Sequence, residues 1–340
     1  MALMTLAAWA TLSLLPQVPA SCVAGLAQFQ KMELAGAQDL LWDCVEQGAA
    51  DRTPGLDLAL TYRELKNYEA GLRRAKPALQ KFPKNIDVLY VTAFLYFRLG
   101  NNAQSMILLS KADGIDREDW RVHQLFALNY AKFNMPDSAT SELKRAMALA
   151  PSNAELPYQL ARLYFTQGKY PESIAASHQA LAILPEYPEV FNNLGLAYEG
   201  SGDTARAIAS FQRAIALNEK HGRRDEWPLI DYGMFYLRQG APETARPLLE
   251  QAWQFNPQSA KASYELGRTM RALNRDDEAE RYFAKALELD PNYASACLAL
   301  APLVRRHGDL RRAAELLARF QILRQKETAE HVGLESIAAR

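Results

Sequence analysis

The chain has 340 residues, with Lys plus Arg equal to Asp plus Glu at 39 each, so its net charge is zero and it lacks the global cationic surface of a nucleic-acid binder. That length exceeds a typical single globular domain and points to several domains, one large barrel or a repeat array. Three cysteines, Cys22, Cys44 and Cys297, are too few and too scattered for a disulfide scaffold or a CxxC zinc site, and read as small buried apolar residues.

No basic residue precedes Lys31 and no acidic one precedes Glu33. The apolar run "ALMTLAAWATLSLL" is followed by "PQVPAS", with Val18 and Ala20 at the small-residue positions of a signal-peptidase site. Residues 1–20 are therefore expected to be a secretory signal peptide, although the n-region carries only the α-amine. Fourteen apolar residues fall short of the ~20 that a membrane span needs. The alternative is a packed outer helix, because "LLPQVP" echoes "ILPEYP" at 183–188. Cys22 follows "PAS", a poor match to a lipidation site.

From there the chain repeats itself. The stretch from Ala154 and the stretch from Pro188 align at an offset of 34 residues, and the same register recurs near 18, 52, 86 and 120. After four extra residues it returns at 226, 260 and 294, giving about nine copies. In each copy a Leu-plus-small pair is followed by an aromatic, a polar or Gly corner, then a small, a large apolar and another small residue. Examples are Leu194, Gly195, Tyr198, Gly202, Ala207, Phe211 and Ala214, or Leu266, Gly267, Ala279, Phe283 and Ala286. Spacings of three and four place an apolar stripe on each of two helices. Prolines at 83, 151, 185, 257 and 291 end the second helix. Pro77 and Pro302 fall inside predicted helices, where kinks are expected.

This pattern resembles the tetratricopeptide repeat family over residues 18 to about 327. The resemblance implies an all-α fold, a right-handed superhelical solenoid of about nine helix-turn-helix repeats whose first helices line a concave groove. Repeats one to six occupy 18–221, an insertion 222–225, repeats seven to nine 226–327, and a capping tail 328–340. The insertion reads as a longer second helix closed by Gly222, with Asp225 capping the next helix and Pro228 in its first turn.

Catalytic chemistry is not expected. There is no GxxxxGK[ST], GxSxG or HExxH, and the five histidines lie on different repeats without ligand spacing, so no catalytic residue, metal site or cofactor is assigned. The glycosyltransferase domain that some family members carry after the repeats is not expected in the thirteen or so residues that follow the last one.

What remains is the groove that the resemblance implies. Its inward positions are Phe29, Tyr90, Phe94, Phe97, Tyr158 and Phe165 in the early copies, Asn193 at the position of the family's asparagine ladder, and Trp227, Arg238, Lys261, Arg268, Arg271 and Arg305 in the later ones. Aromatic and Arg side chains dominate binding hot spots, and an Arg fork suits a carboxylate. The expected partner is a protein or peptide with apolar and acidic parts. Aromatics at helical spacing equally pack between repeats, and Glu199, Asp231 and Glu265 share the predicted inner face and are placed to neutralise its cations. A full carboxylate clamp and a full asparagine ladder are both missing. The leading reading is a non-enzymatic interaction scaffold in an exported or envelope complex. Alternatives are a helical-repeat RNA binder, against which zero net charge argues, and a non-catalytic subunit of an enzyme complex.

Overall fold

A computed structural model of the chain describes residues 19–47 and 53–338, with side chains through 326. The signal peptide expected at 1–20 lies outside the described residues except for Pro19 and Ala20, and Ala20 already opens the first helix. Eighteen helices are described, joined in consecutive antiparallel pairs. The chain divides after Pro151 into two compact units.

The first unit holds four pairs: α1 (Ala20–Gln30) with α2 (Leu34–Gln47), α3 (Thr53–Leu65) with α4 (Tyr68–Lys81), α5 (Ile86–Arg98) with α6 (Asn102–Asp113), and α7 (Trp120–Lys132) with α8 (Pro136–Leu149). The second holds five: α9 (Glu155–Thr166) with α10 (Tyr170–Ile183), α11 (Pro188–Gly200) with α12 (Thr204–Lys220), α13 (Trp227–Arg238) with α14 (Pro242–Phe255), α15 (Ala260–Ala272) with α16 (Asp276–Leu289), and α17 (Ala294–Arg306) with α18 (Leu310–Ala338).

The period is written in the backbone. The corner inside each pair contains one residue at positive φ: Met32, Lys66, Gly100, Asn134, Gly168, Gly202, Gly240, Asn274 and Gly308. Successive corners are 34 residues apart except at the single step of 38 from Gly202 to Gly240. The hydrogen bonds are those of a Schellman turn. Gly100 N–H donates to the Phe97 carbonyl and Asn101 N–H to that of Tyr96, and Gly202 and Asp203 repeat this with Glu199 and Tyr198. Two otherwise orphaned carbonyls are satisfied each time, and only a left-handed residue permits it.

The second helix of several pairs stops for a different reason. Pro83, Pro151, Pro185, Pro257 and Pro291 each stand two residues beyond the last helical residue of α4, α8, α10, α14 and α16, where a missing N–H cannot extend the ladder. Pro77, Pro302 and also Pro247 lie inside α4, α17 and α14, and all three helices continue across them.

Packing within a pair rests on small residues. In the second unit Gly195, Gly233 and Gly267 of the first helices face Phe211, Leu249 and Phe283 of the second, and all three large side chains are fully buried. Ala207, Ala214, Ala245, Ala252, Ala279 and Ala286 flank them at 0% exposure. The first unit's core is built around Trp42, Tyr62, Leu89, Leu95 and Leu109, and Trp42 Nε1 donates to Tyr62 Oη at 2.6 Å.

The cysteines depart from the sequence reading. Cys22 of α1 and Cys44 of α2 are buried but joined as a disulfide, because the hairpin places their Cα atoms 4.8 Å apart; Cys297 is buried and free. The four extra residues lengthen α12 to 17 residues against 14 for α10 and α14. Gly222 then takes a positive φ, and Arg223 N–H donates to the Asn218 carbonyl. Residues 328–338 continue α18 and do not form a separate element.

Candidate functional site

The first helices of three consecutive pairs in the second unit line an open cavity of about 380 Å³. Tyr158 and Arg162 come from α9; Glu189, Asn192, Asn193 and Leu196 from α11; Asp225, Trp227, Pro228 and Asp231 from the start of α13. Local sequence sets each position. Proline opens α11 at Pro188 and sits in the first turn of α13 at Pro228, where its missing N–H is harmless. Asp225 Oδ1 accepts from Trp227 N–H at 3.2 Å, which fixes the first residue of α13 and leaves the Trp227 side chain 52% exposed. On the opposite side of the same helices Leu194, Tyr198, Tyr232 and Phe235 pack around Phe211, holding the lining residues toward the cavity.

The polar lining is rich in acceptors. Glu189 Oε1 accepts from Arg223 Nη2 at 2.6 Å, and Asp231 Oδ2 accepts from Asn192 Nδ2 at 2.7 Å. Burial raises the Asp231 carboxyl above its ordinary range, against the lowering pull of the Asn192 hydrogen bond and of Lys261 and Arg238. Burial likewise raises Asp225, which the bond from Trp227 N–H and the charge of Arg223 oppose. Glu189 Oε2 and Asn192 Oδ1 are buried without a hydrogen-bond partner. Asn193 is only 4% exposed, and its Nδ2 donates to Ser173 Oγ and Ser177 Oγ of α10 at 3.2 and 3.1 Å. What Asn193 retains for the cavity is its acceptor oxygen.

Tetratricopeptide-repeat family models match residues 62–128, 153–220 and 236–285, together more than half of the chain. The protein belongs to the tetratricopeptide repeat family. Among its relatives, the type IV pilus assembly protein PilF of Pseudomonas aeruginosa is 27% identical over 190 residues, covering 50% of this chain and 74% of that one. The BBSome complex member bbs-4 of Caenorhabditis elegans is 25% identical over 171 residues, covering 50% of this chain and 36% of that one. This chain thus spans about a third of the nematode protein's length. Among solved structures, a chain of the APC/C hetero-tetramer Cut9–Hcn1 superposes on 96% of this chain and 64% of its own at a TM-score of 0.59 with 17% identity, a likeness of fold.

Against that family frame, the predicted groove residues fare unequally. Phe29, Phe94 and Phe97 are half-buried against the first unit's core, and Tyr90 is buried beneath the Arg121 guanidinium, 4.8 Å from its ring centre. Their helical spacing serves packing between repeats. Phe165 is half-buried beside Tyr170 in its own pair, with ring centres 6.0 Å apart. Tyr158 and Trp227 line the cavity. Asn193 does too, but its amide nitrogen is committed to serines and unavailable to a peptide backbone.

The basic half is largely neutralised. Arg238 makes a bidentate pair with Glu199, both contacts at 2.6 Å, which raises its pKa. Lys261 and Arg268 share Glu265, at 2.7 and 2.8 Å, and that carboxylate is fully buried. Arg271 and Arg305 are exposed and make no ion pair among the described residues. The sequence reading missed Arg162, Glu189, Asn192 and Asp225 as lining residues. For Asn192 the miss is a helical register of one residue, since its neighbour Asn193 turns toward α10.

No group of three or more His, Cys, Asp or Glu residues among the described ones is arranged to hold a metal ion. Histidines are used structurally: His123 is buried, with Nδ1 2.7 Å from Glu142 Oε2 and Nε2 2.9 Å from the Arg117 carbonyl oxygen. No described helix is long and apolar enough to cross a membrane.

Proposed function

We propose that this chain is a non-enzymatic scaffold that binds an extended segment of a partner protein along the first-helix face of α9, α11 and α13, in an exported or envelope complex. The observation that carries the reading is Trp227, an indole 52% exposed at the edge of a cavity whose other walls are preformed. Large aromatics are normally withdrawn from water, and a Trp left exposed at a concave site is among the residue types that most often anchor an interface. Tetratricopeptide proteins typically mediate protein–protein contacts, and two relatives carry names of assembly or complex members. The location rests on the Cys22–Cys44 disulfide, a linkage that persists in oxidising compartments, together with the apolar leader and a relative named for pilus assembly.

A photo-cross-linking amino acid in place of Trp227, in the chain expressed in its native cell, tests the site. Adducts mapping to one segment of one protein support it. Adducts obtained only from positions on the second helices would overturn it. Fractionation with non-reducing mass spectrometry of the same sample reads the compartment: a cytosolic chain with free Cys22 and Cys44 thiols would rule out export.

A further inference from the structure

We infer that the cavity beneath Trp227 receives a cationic side chain, lysine or arginine, of the bound segment; this rests on the groove reading above and reverses the acidic partner expected from sequence. Among the buried side-chain atoms of the lining that lack a hydrogen-bond partner, both are acceptors, Glu189 Oε2 and Asn192 Oδ1. A buried unpaired acceptor is unfavourable, so an occupant gains most by bringing N–H groups. Asn193, itself more than nine-tenths buried, adds a third acceptor, because the two serines of α10 hold its amide nitrogen away.

Charge agrees with this hydrogen-bond deficit. The lining carries Glu189, Asp225 and Asp231 against one cation, Arg162, and Arg223 outside it pairs with Glu189. Arg162 is exposed, stands 5.8 Å from the centre of the Tyr158 ring, and makes no hydrogen bond or ion pair with these oxygens. Asp231 is half-buried, and among the described residues its side-chain hydrogen-bond donor is the amide of Asn192. A guanidinium supplies five donors in one plane and an ammonium three, enough to serve several of these oxygens at once. The indole face of Trp227 offers the cation a π surface at the mouth. An acidic side chain would instead meet three carboxylates, with the exposed Arg162 as the one cation of the lining to receive it.

The test is random-peptide display panned on the full chain, followed by affinities of the enriched peptides. The expected result is a fixed Arg or Lys in peptides whose binding weakens at least about tenfold in Asp231→Asn or in Glu189→Gln, and when the peptide's cation becomes citrulline or acetyl-lysine. Arg162→Ala should tighten the same peptides several-fold by removing the competing charge. Circular dichroism confirms folding of each variant, and either carboxylate variant suffices. Enrichment of acidic or purely apolar peptides that still require Trp227 would overturn the cationic occupant and leave the groove reading standing. Cationic peptides indifferent to both carboxylate variants, or weakened by Arg162→Ala, would also overturn it. Failure of every enriched peptide to respond to Trp227→Ala would remove the groove reading itself.

Discussion

Gly195 of α11 lies so close to Phe211 of α12 that a Cβ at Gly195 would stand 2.5 Å from the phenyl ring. The ring is fully buried and stacks on Tyr232 of the next pair, with centroids 5.4 Å apart, so it has no space into which to retreat. Gly195→Ala is expected to destabilise the second unit by about 1–3 kcal/mol through overpacking. Gly267→Ala, against Phe283 at 2.6 Å, should behave alike. Chemical denaturation of each variant checks this, and an unchanged midpoint would show that the pair relaxes freely.

Lys66 occupies the corner between α3 and α4 at φ +54°, a conformation in which glycine stands at five equivalent corners. A side chain there costs roughly 1–2 kcal/mol, partly offset by the extra chain entropy that glycine loses on folding. Lys66→Gly should therefore raise stability by up to about 1 kcal/mol. The melting temperature of the variant decides, and a fall would mean that the lysine contributes more than its backbone strain.

Arg121 is 1% exposed, 2.8 Å from Asp87 Oδ1 and bidentate to Asp119 at 2.9 and 2.6 Å. Removing one partner from a buried ionic group costs about 3–5 kcal/mol, because the carboxylates stay buried. Arg121→Leu should thus destabilise the first unit by that amount. Arg121→Lys should recover only part, since an ammonium cannot reproduce the planar fork. Hydrogen exchange in α5 and α7 is the readout, and protection equal to the native protein's would refute the assignment.

His123 gives the pH dependence a sign. Burial works against its charged form, but the hydrogen bonds to Glu142 and to the Arg117 carbonyl outweigh it, and its pKa is raised above the ordinary value of about 6.5. A group whose pKa is higher folded than unfolded contributes stability that is fully present below the unfolded value and lost as pH rises through the folded one. The stability difference between the native protein and His123→Gln should therefore be largest below about pH 6.5 and shrink toward alkaline pH. Paired melts across that range measure it. A difference that grows with pH would mean that the ring is neutral in the folded protein.

Arg268→Glu, at one of the groove positions that the family resemblance implies, is a poor probe. It would set a second carboxylate against the fully buried Glu265 and damage folding together with any binding.

The sequence alone determined the repeat, because the 34-residue period is local chemistry: Leu-Gly pairs for close helix approach, corner residues that tolerate positive φ, and proline stops. Trp227 and Tyr158, two of the residues that the family resemblance turns inward, line the cavity. Only the tertiary structure decided which charges stay available. Arg238 of α13 with Glu199 of α11 spans 39 residues, and Glu189 of α11 with Arg223 of the insertion spans 34, so each pair joins segments that no local pattern brings together. The same holds for Cys22 and Cys44, which lie 22 residues apart and meet because the first hairpin folds back on itself. Periodicity fixes the face on which a side chain stands. Stacking of one repeat on the next fixes what meets it there.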